Sequence, residues 1–151
     1  MMEKQNPVTT TTSETRCKYA RVLLLDDNQV ENIVNRKLIE TSRFAETVVA
    51  HESGYDTLTY LRNEPLENLP EIIFLDIIMA KMDGFQFLDE FATLPEEITS
   101  RVRIIMLSTS DSFQHLNRAN KNRFVYRFLN KPLTKEVFAA INIKPATTFS
   151  P

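Results

Sequence analysis

The chain has 151 residues, 42% hydrophobic and 25% charged, so it can bury a core and is too apolar for wholesale disorder. Its 18 Lys and Arg against 20 Asp and Glu give a net charge of −2, which argues against direct binding of nucleic acid through bulk positive charge. The single cysteine, Cys17, can form neither an intramolecular disulfide nor a zinc site. The chain starts without the apolar segment of a signal peptide and contains no run approaching the roughly 20 apolar residues of a membrane span. A cytoplasmic protein without membrane insertion is therefore expected.

The chain is predicted to form one domain between two irregular ends. Residues 1–18 are polar, with four consecutive threonines, and are predicted to be a disordered leader; residues 144–151 are predicted to be a frayed tail. Within 19–143, apolar segments alternate with helical patterns. The predicted strands are 22–25, 47–50, 72–75, 104–107 and 125–129. A helix is predicted after each strand. The first is capped by Asn28 and carries Val30, Ile33, Val34 and Leu38 at helical spacing, and the second covers residues 53–61. The other three are indicated by Phe85, Leu88 and Ala92, by Phe113, Leu116 and Ala119, and by Val137, Phe138 and Ile141.

This alternation predicts an α/β fold with a doubly wound, five-stranded parallel sheet. Strands that are apolar throughout are typical of a parallel sheet covered on both faces by helices. Ligands of such sheets bind at the carboxyl ends of the strands. The residues that follow the strands are therefore the candidates for function.

Carboxylates, a hydroxyl and an ammonium follow the predicted strands, namely Asp26, Asp27, Asp76, Ser108 and Lys131. Crowded carboxylates need a nearby positive charge, and oxygen ligands in a shallow site suit Mg²⁺. One carboxylate can attack phosphorus while the cation, the lysine and the hydroxyl hold the phosphoryl oxygens. The pattern therefore indicates a site adapted to an incoming phosphoryl group.

Each of these residues also has an ordinary structural interpretation. The acidic pair Asp26–Asp27 can serve only as a helix cap, Ser108 as a turn hydroxyl and Lys131 as a surface lysine. Asp76 is harder to explain in this way, because a charge between apolar neighbours costs free energy unless it is paired. Their shared placement at strand ends favours the functional interpretation.

The sequence resembles the receiver domain of two-component response regulators over about residues 19–142. The resemblance is carried by the segments VLLLDDN (22–28), IIFLDIIMAKMDGFQFL (72–88), IIMLSTS (104–110) and FLNKPL (128–133). It implies a (βα)5 flavodoxin-like fold with strand order 2-1-3-4-5. It also implies a CheY-like signalling protein of the single-domain type, not an enzyme beyond its own phosphoryl transfer and slow autodephosphorylation.

The resemblance implies a role for each site residue. Asp76 would be the phosphoacceptor, and Asp27, Asp76 and the backbone carbonyl of Ile78 would bind Mg²⁺ directly. Asp26 would orient a metal-bound water. Lys131, in a Lys131–Pro132 bond that is commonly cis in the family, would pair with Asp76 and then with the phosphoryl group.

Two further residues would form the switch that responds to phosphorylation. Ser108 would donate a hydrogen bond to a phosphoryl oxygen and draw its loop inward. Phe128 matches the aromatic residue that turns inward as that loop moves, although a plain core aromatic would also explain it.

The sequence departs from the usual family pattern at three positions. Ala80 stands where proline is frequent and is expected to loosen its loop, and Thr109 stands where a smaller residue is usual and is expected to narrow access to Asp76. Ile78 places an apolar side chain where many members have a polar one. We hypothesise that it impedes the water that would hydrolyse the acyl phosphate.

Gly84 is expected to permit a close turn into the third helix.

Partners implied by the resemblance are a histidine kinase or histidine phosphotransfer protein upstream and a protein of unknown identity downstream. The output surface would be the fourth helix, fifth strand and fifth helix, roughly residues 112–141. Its positive side chains favour an acidic protein partner or a homodimer, or form an ordinary solvated face: Arg118, Lys121, Arg123 and Arg127. The two histidines, His51 and His115, are interpreted as solvated surface residues, and Met79 and Met82 as packing residues.

Two other functions stay open at this point. A receiver-like domain that is never phosphorylated could act as a protein-interaction scaffold, although every chemical position holds a competent residue type. A Mg²⁺-dependent phosphohydrolase with an aspartate nucleophile typically carries a second Asp two positions on, where this chain has Ile78. A nucleotide-binding domain is excluded because the chain has no glycine-rich loop.

Overall fold

A computed structural model describes residues 16–109 and 112–143. The predicted tail and all but the last three residues of the predicted leader lie outside these ranges. The strands are β1 (Tyr19–Leu25), β2 (Ala45–His51), β3 (Ile72–Asp76), β4 (Arg103–Ser108) and β5 (Val125–Asn130). The helices are α1 (Gln29–Thr41), α2 (Gly54–Asn63), α3 (Gly84–Phe91), α4 (Phe113–Asn120) and α5 (Lys135–Ala140). Two short segments were not predicted, a 3-10 turn at Leu66–Asn68 and a helical turn at Glu96–Thr99.

The five strands form one parallel sheet in the order β2-β1-β3-β4-β5. This confirms the predicted doubly wound, flavodoxin-like fold. β1 and β3 lie side by side, with Leu25 opposite Leu75, so the residues that follow them emerge at the same edge of the sheet.

Two hydrophobic cores cover the two faces of the sheet. One packs Ile39 of α1 and Phe138 of α5 against Phe74 of β3. The other packs α2, α3 and Ala119 of α4 against Ile73 and Leu75 of the same strand. Because β3 alternates its side chains between both cores, the strand that ends in Asp76 is held from both sides.

Each of the five helices begins at a polar cap that accepts a hydrogen bond from a backbone N–H in the first turn. The caps are Asn28, Ser53, Asp83, Ser112 and Thr134. Such caps satisfy N–H groups that have no partner within the helix, and this fixes where each helix starts. The predicted cap at Asn28 is therefore confirmed.

The buried face of α1 differs from the face that its apolar spacing indicates. Val30, Ile33 and Val34 are 67%, 61% and 58% exposed, whereas Asn32 and Ile39 are buried. The Asn32 side-chain amide donates to the backbone carbonyls of Asp26 at 2.9 Å and His51 at 3.3 Å. These hydrogen bonds tie the helix to the ends of β1 and β2 and turn its apolar stripe toward solvent.

Lys18, predicted to belong to the leader, contacts the folded domain. Its ammonium donates to the backbone carbonyls of Ala139 at 3.2 Å and Ile141 at 2.5 Å, at the C-terminal end of α5. A positive charge there satisfies carbonyls left free by the helix and complements its dipole. The ordered domain therefore begins before Tyr19.

In the described ranges, no helix combines the length and the apolar character needed to cross a membrane.

Candidate functional site

The strand register places the predicted site residues at one edge of the sheet. Asp26 directly follows β1, Asp76 ends β3 and Ser108 ends β4. Ser108 lies opposite Asn130, and the Lys131 backbone N–H donates to the Ser108 carbonyl at 2.9 Å. The backbone thus brings these residues to the same edge of the sheet, as predicted.

Three carboxylates gather at this edge, those of Asp26, Asp27 and Asp76. One oxygen from each lies within 4.8 Å of the others, so the three carboxylates could hold a single metal ion directly or through a bound water. Asp26 and Asp76 are buried while Asp27 is exposed, so the cluster is open on one side. A hard divalent ion that keeps some of its waters fits such a donor set.

Burial and the nearby Asp26 charge raise the pKa of Asp76 to about 6, although Lys131 acts in the opposite direction. Burial disfavours the charged form of the Asp76 carboxyl group, and the neighbouring Asp26 carboxylate adds to the effect. Asp76 is still mainly ionised at neutral pH, which a nucleophilic carboxylate requires.

Lys131 is the central cation of the site. Its ammonium lies 3.0 Å from Asp26 Oδ2, 3.1 Å from Asp76 Oδ1 and 2.5 Å from Glu31 Oε1. Burial alone would lower the pKa of Lys131, but hydrogen bonds to Glu31 and Asp26 raise it overall. The Lys131–Pro132 peptide bond is cis.

Glu31 is a site residue that the sequence analysis missed. It lies in the first turn of α1, and its hydrogen bond to Lys131 lowers the pKa of its carboxyl group. The signal that could have identified it is its position as the acidic residue in the first turn of the helix that follows Asp26 and Asp27.

The loop after β3 is anchored at both of its ends. The Ile77 N–H donates to the Leu107 carbonyl at 3.1 Å, and the Gly84 N–H donates to the Ile77 carbonyl at 2.8 Å. Between these points, the Ala80 N–H donates to Asp27 Oδ2 at 2.8 Å. Proline in place of Ala80 would lack this N–H, so the residue expected to loosen the loop contributes a contact that holds it.

Gly84 is required because of close packing and not because of an unusual backbone angle. A Cβ at this position would lie 2.8 Å from the Asp76 carbonyl oxygen and 2.9 Å from Ile77 Cα. None of the described glycines has a positive φ. The close turn expected at Gly84 is thus present, and it presses α3 directly against the backbone of the phosphoacceptor candidate.

The remaining predicted residues lie around the cluster. Ser108 is buried, Thr109 is exposed beside Lys131, and Ile78 is 61% exposed two residues beyond Asp76. Phe128 is half-buried and packs against the core on the α2–α4 side of the sheet, so it is not part of the carboxylate cluster. Met79 and Met82 are buried, as expected of packing residues.

The interpretation of His51 as a solvated histidine is wrong. Its Nδ1 lies 2.9 Å from Thr57 Oγ1, and its ring packs edge-on against Tyr60. Burial accordingly lowers the pKa of His51. His115 is also only partly exposed, with its ring beside Phe85.

The surface formed by α4 and β5 combines exposed aromatic rings with guanidinium groups. Phe113 is 73% exposed, and the Arg118 guanidinium lies 4.2 Å from the centre of the Phe85 ring. Arg127 lies near the ring of Tyr126, which is itself exposed. Phe85 is a buried ring of α3, so the exposed aromatic rings of these two elements are those of Phe113 in α4 and Tyr126 in β5.

Comparisons with known proteins by family model, by sequence and by structure point to the same family. The model of the response regulator receiver domain matches residues 22–142. The chain is 35% identical over 97 residues to a protein-glutamate methylesterase/protein-glutamine glutaminase of Burkholderia thailandensis, a match that covers 64% of this chain and 24% of that protein. It is 29% identical over 117 residues to the probable methanogenesis regulatory protein FilR2 of Methanothrix harundinacea, covering 76% and 74%. A solved two-component response regulator from Cytophaga hutchinsonii superposes with a TM-score of 0.74 at 25% identity, covering 82% of this chain and 93% of that one.

The chain belongs to the response regulator receiver domain family, the signalling domain of two-component systems. Domains of this family typically bind Mg²⁺ and interact with histidine kinases or phosphotransfer proteins. The chain spans about a quarter of the methylesterase, so the activity of that enzyme is not transferred to it.

Proposed function

We propose that this protein accepts a phosphoryl group on Asp76 from a histidine kinase or histidine phosphotransfer protein, with Mg²⁺ as cofactor. The observation that carries this proposal is the contact of 3.1 Å between the Asp76 carboxylate and the Lys131 ammonium, within a cluster of carboxylates at the edge of the sheet. A nucleophile, a fixed cation and a set of metal ligands are the parts that phosphoryl transfer requires.

The donor set fits Mg²⁺. Asp27 and Asp76 are proposed as direct ligands together with the Ile78 backbone carbonyl, and Asp26 is proposed to act through a bound water. When bound, Mg²⁺ would neutralise charge on the phosphoryl oxygens. Asp27 is the exposed member of the cluster, which leaves a route for an ion from solvent.

In the proposed transfer, a carboxylate oxygen of Asp76 attacks phosphorus and forms the new P–O bond. The bond from phosphorus to the donor nitrogen or oxygen breaks, and its electron pair leaves with the donor. Lys131 would hold a phosphoryl oxygen, and the Ser108 hydroxyl would donate to another. The reaction is stoichiometric, and the only turnover would be slow autodephosphorylation.

Two surfaces are proposed for the partners. The donor must bring its phosphorus to Asp76, so it must cover the rim of the site, where Val30, Val34, Pro132 and Leu133 line a groove beside Lys131. The output surface is proposed to be α4-β5-α5, with Ser108 and Phe128 as the switch. Its exposed Phe113 and Tyr126 and its guanidinium groups suit an acidic protein partner or a second copy of the chain.

The runner-up function is a scaffold that binds partners without phosphorylation. The exposed aromatic surface would serve it equally well, but it would not need the buried carboxylate pair, whose mutual repulsion is costly. We place the protein in the cytoplasm, the compartment of its proposed donors.

The test is the intact mass of the protein after incubation with acetyl phosphate and Mg²⁺, beside an Asp76→Asn variant. A single phosphoryl increment that requires Mg²⁺ and is absent from the variant is expected. An unmodified wild-type mass would instead favour the scaffold. Repeating the measurement with Thr109→Ala would show whether Thr109 blocks access. Steady hydrolysis of a phosphate ester would point to a phosphohydrolase.

A further inference from the structure

Lys131 is held by a carboxylate that does not come from the strand ends. Of its three carboxylate contacts, the one to Glu31 is the shortest at 2.5 Å, against 3.0 Å for Asp26 and 3.1 Å for Asp76. The Glu31 side chain is also the most exposed of the three, at 37% against 6% and 8%. The tightest partner of the lysine is thus the one that water can most readily replace.

The Lys131 ammonium donates hydrogen bonds to Asp26 and Glu31, and the Asp76 carboxylate lies 3.1 Å away as an ion-pair partner. A phosphoryl oxygen on Asp76 would take the place of the Asp76 carboxylate beside Lys131, and it would compete with Asp26 and Glu31 for the ammonium. Asp26 is buried, and its other carboxylate oxygen accepts from the Asn28 N–H at 2.9 Å, so it is held in place. Glu31 is the partner that can leave, because its carboxylate can be rehydrated.

The backbone of Glu31 is fixed, so only its side chain can move. Its N–H donates to the Asn28 side chain at 3.1 Å, and the neighbouring Asn32 ties α1 to the sheet. Substitution of the Glu31 carboxylate should therefore act on Lys131 locally.

We propose that Glu31 is a positioning residue that holds Lys131 in the unphosphorylated arrangement and competes with the phosphoryl group for its ammonium. This inference rests on the proposed function. Release of Glu31 would accompany phosphorylation, and the strength of its ion pair would set how readily the phosphorylated state forms. The negative charge of Glu31 would also repel the phosphoryl group, which disfavours the phosphorylated state further.

The test is the affinity for beryllofluoride, a phosphoryl mimic, measured by ¹⁹F NMR at saturating Mg²⁺ with wild-type protein, Glu31→Gln and Glu31→Asp. Loss of a competing charge-assisted hydrogen bond should tighten binding in Glu31→Gln by roughly three- to tenfold. Aspartate keeps the charge but is one methylene shorter, so Glu31→Asp should also bind more tightly if direct contact with Lys131 matters.

The matched control is Glu52→Gln, which removes the same charge from an exposed residue that lines the crevice beside Asp27. It should change the affinity by less than about twofold, the size of a screened surface effect. The Mg²⁺ affinity of each variant is measured separately, and thermal unfolding shows that each is folded.

The outcomes separate the two proposals. If Glu31→Gln matches Glu52→Gln, or binds more weakly than wild type, Glu31 does not compete for Lys131 and this inference is wrong while the proposed function stands. If Glu31→Asp behaves as wild type, beryllofluoride binding does not depend on the direct contact between Glu31 and Lys131, and the proposed competition is wrong. If the wild-type protein binds no beryllofluoride and takes no phosphoryl group, both proposals are wrong.

Discussion

Asp76 carries a conflict between function and stability. Its pKa of about 6 lies above the ordinary value of 3.8 for an aspartate because of burial and the charge of Asp26. When the pKa of a carboxyl group is higher in the folded than in the unfolded state, the free energy of unfolding of the protein falls as the pH rises from the unfolded pKa to the folded pKa. The destabilisation is therefore absent below about pH 3.8 and complete above about pH 6.

Asp76→Asn should consequently stabilise the metal-free protein. We expect a gain of about 1–2 kcal/mol in the free energy of unfolding at pH 8, allowing for partial solvent screening, and a clearly smaller gain at pH 4. Lys131 keeps Asp26 and Glu31 as partners in the variant. Urea unfolding in EDTA at both pH values measures the effect, with Glu52→Gln as the exposed charge-removal control. Equal gains at the two pH values would contradict this account.

Ile78 is expected to control the lifetime of the phosphorylated state. Its exposed side chain lies two residues beyond Asp76, where an apolar group neither binds nor orients an attacking water. Ile78→Asn should increase the rate of dephosphorylation about fivefold, which corresponds to a barrier lower by ~1 kcal/mol. The decay of the phosphorylated mass with time gives the rate. Ile78→Leu, which stays apolar, should decay as wild type, and an unchanged rate in Ile78→Asn would refute the hypothesis.

At the scale of secondary-structure elements, the position of the site depends on the contact of α3 with the end of β3. Gly84→Ala should cost about 2–3 kcal/mol, because its Cβ would meet the backbone of Asp76 and Ile77, which cannot move independently. It should also weaken phosphorylation by displacing Asp76.

Gly54→Ala is the matched control for this substitution. Its Cβ would approach Met82 Sδ at 2.6 Å, but this atom is near the end of a flexible side chain that can change rotamer. We expect a cost below about 1 kcal/mol, measured by urea unfolding of both variants. Equal costs would show that the backbone contact at Gly84 is not decisive.

The strands and their terminal residues could be predicted from the sequence because buried parallel strands are continuous apolar runs. The predicted bounds of β3 and β4 differ from the observed ones by at most one residue, and those of β1 by three residues at its start. The rotation of α1 about its axis could not be predicted. Its periodicity marks Val30, Ile33 and Val34 as the buried face. The hydrogen bonds of the Asn32 side chain to the strand ends instead turn these three residues toward solvent. The contact of Glu31 with Lys131 could not be predicted for the same reason, because the neighbours of a helical residue depend on which face of the helix it occupies.

The partly buried environment of His51 could not be predicted for a related reason. It ends β2, and only the packing of α2 against that strand brings Thr57 and Tyr60 to its ring. Contacts between elements are not contained in local sequence patterns, so polar residues that serve such contacts resemble ordinary surface residues.

For the molecule as a whole, Mg²⁺ should act as a stabilising ligand. The folded chain holds three carboxylates within 4.8 Å of one another, an arrangement that the unfolded chain does not maintain. At a concentration ten times its dissociation constant, an ion that binds only the folded state adds about 1.4 kcal/mol to the free energy of unfolding.

We therefore expect the midpoint of thermal unfolding to rise with Mg²⁺ concentration. Asp27→Asn should reduce this rise strongly, because Asp27 is the proposed ligand most accessible to the ion. Glu52→Gln, near the site but not a proposed ligand, should retain it. A midpoint that is independent of Mg²⁺ in the wild-type protein would argue against a metal site in the carboxylate cluster.

The outward-facing stripe of α1 has a consequence for the handling of the purified protein. Three aliphatic side chains are in contact with water, and the net charge of −2 provides little mutual repulsion between copies. The colloidal stability of the isolated chain should therefore be limited at high concentration, with light scattering that grows as acid brings the net charge toward zero. A polar substitution at Ile33, which is exposed and does not line the groove beside Lys131, would be a practical route to a more concentrated sample.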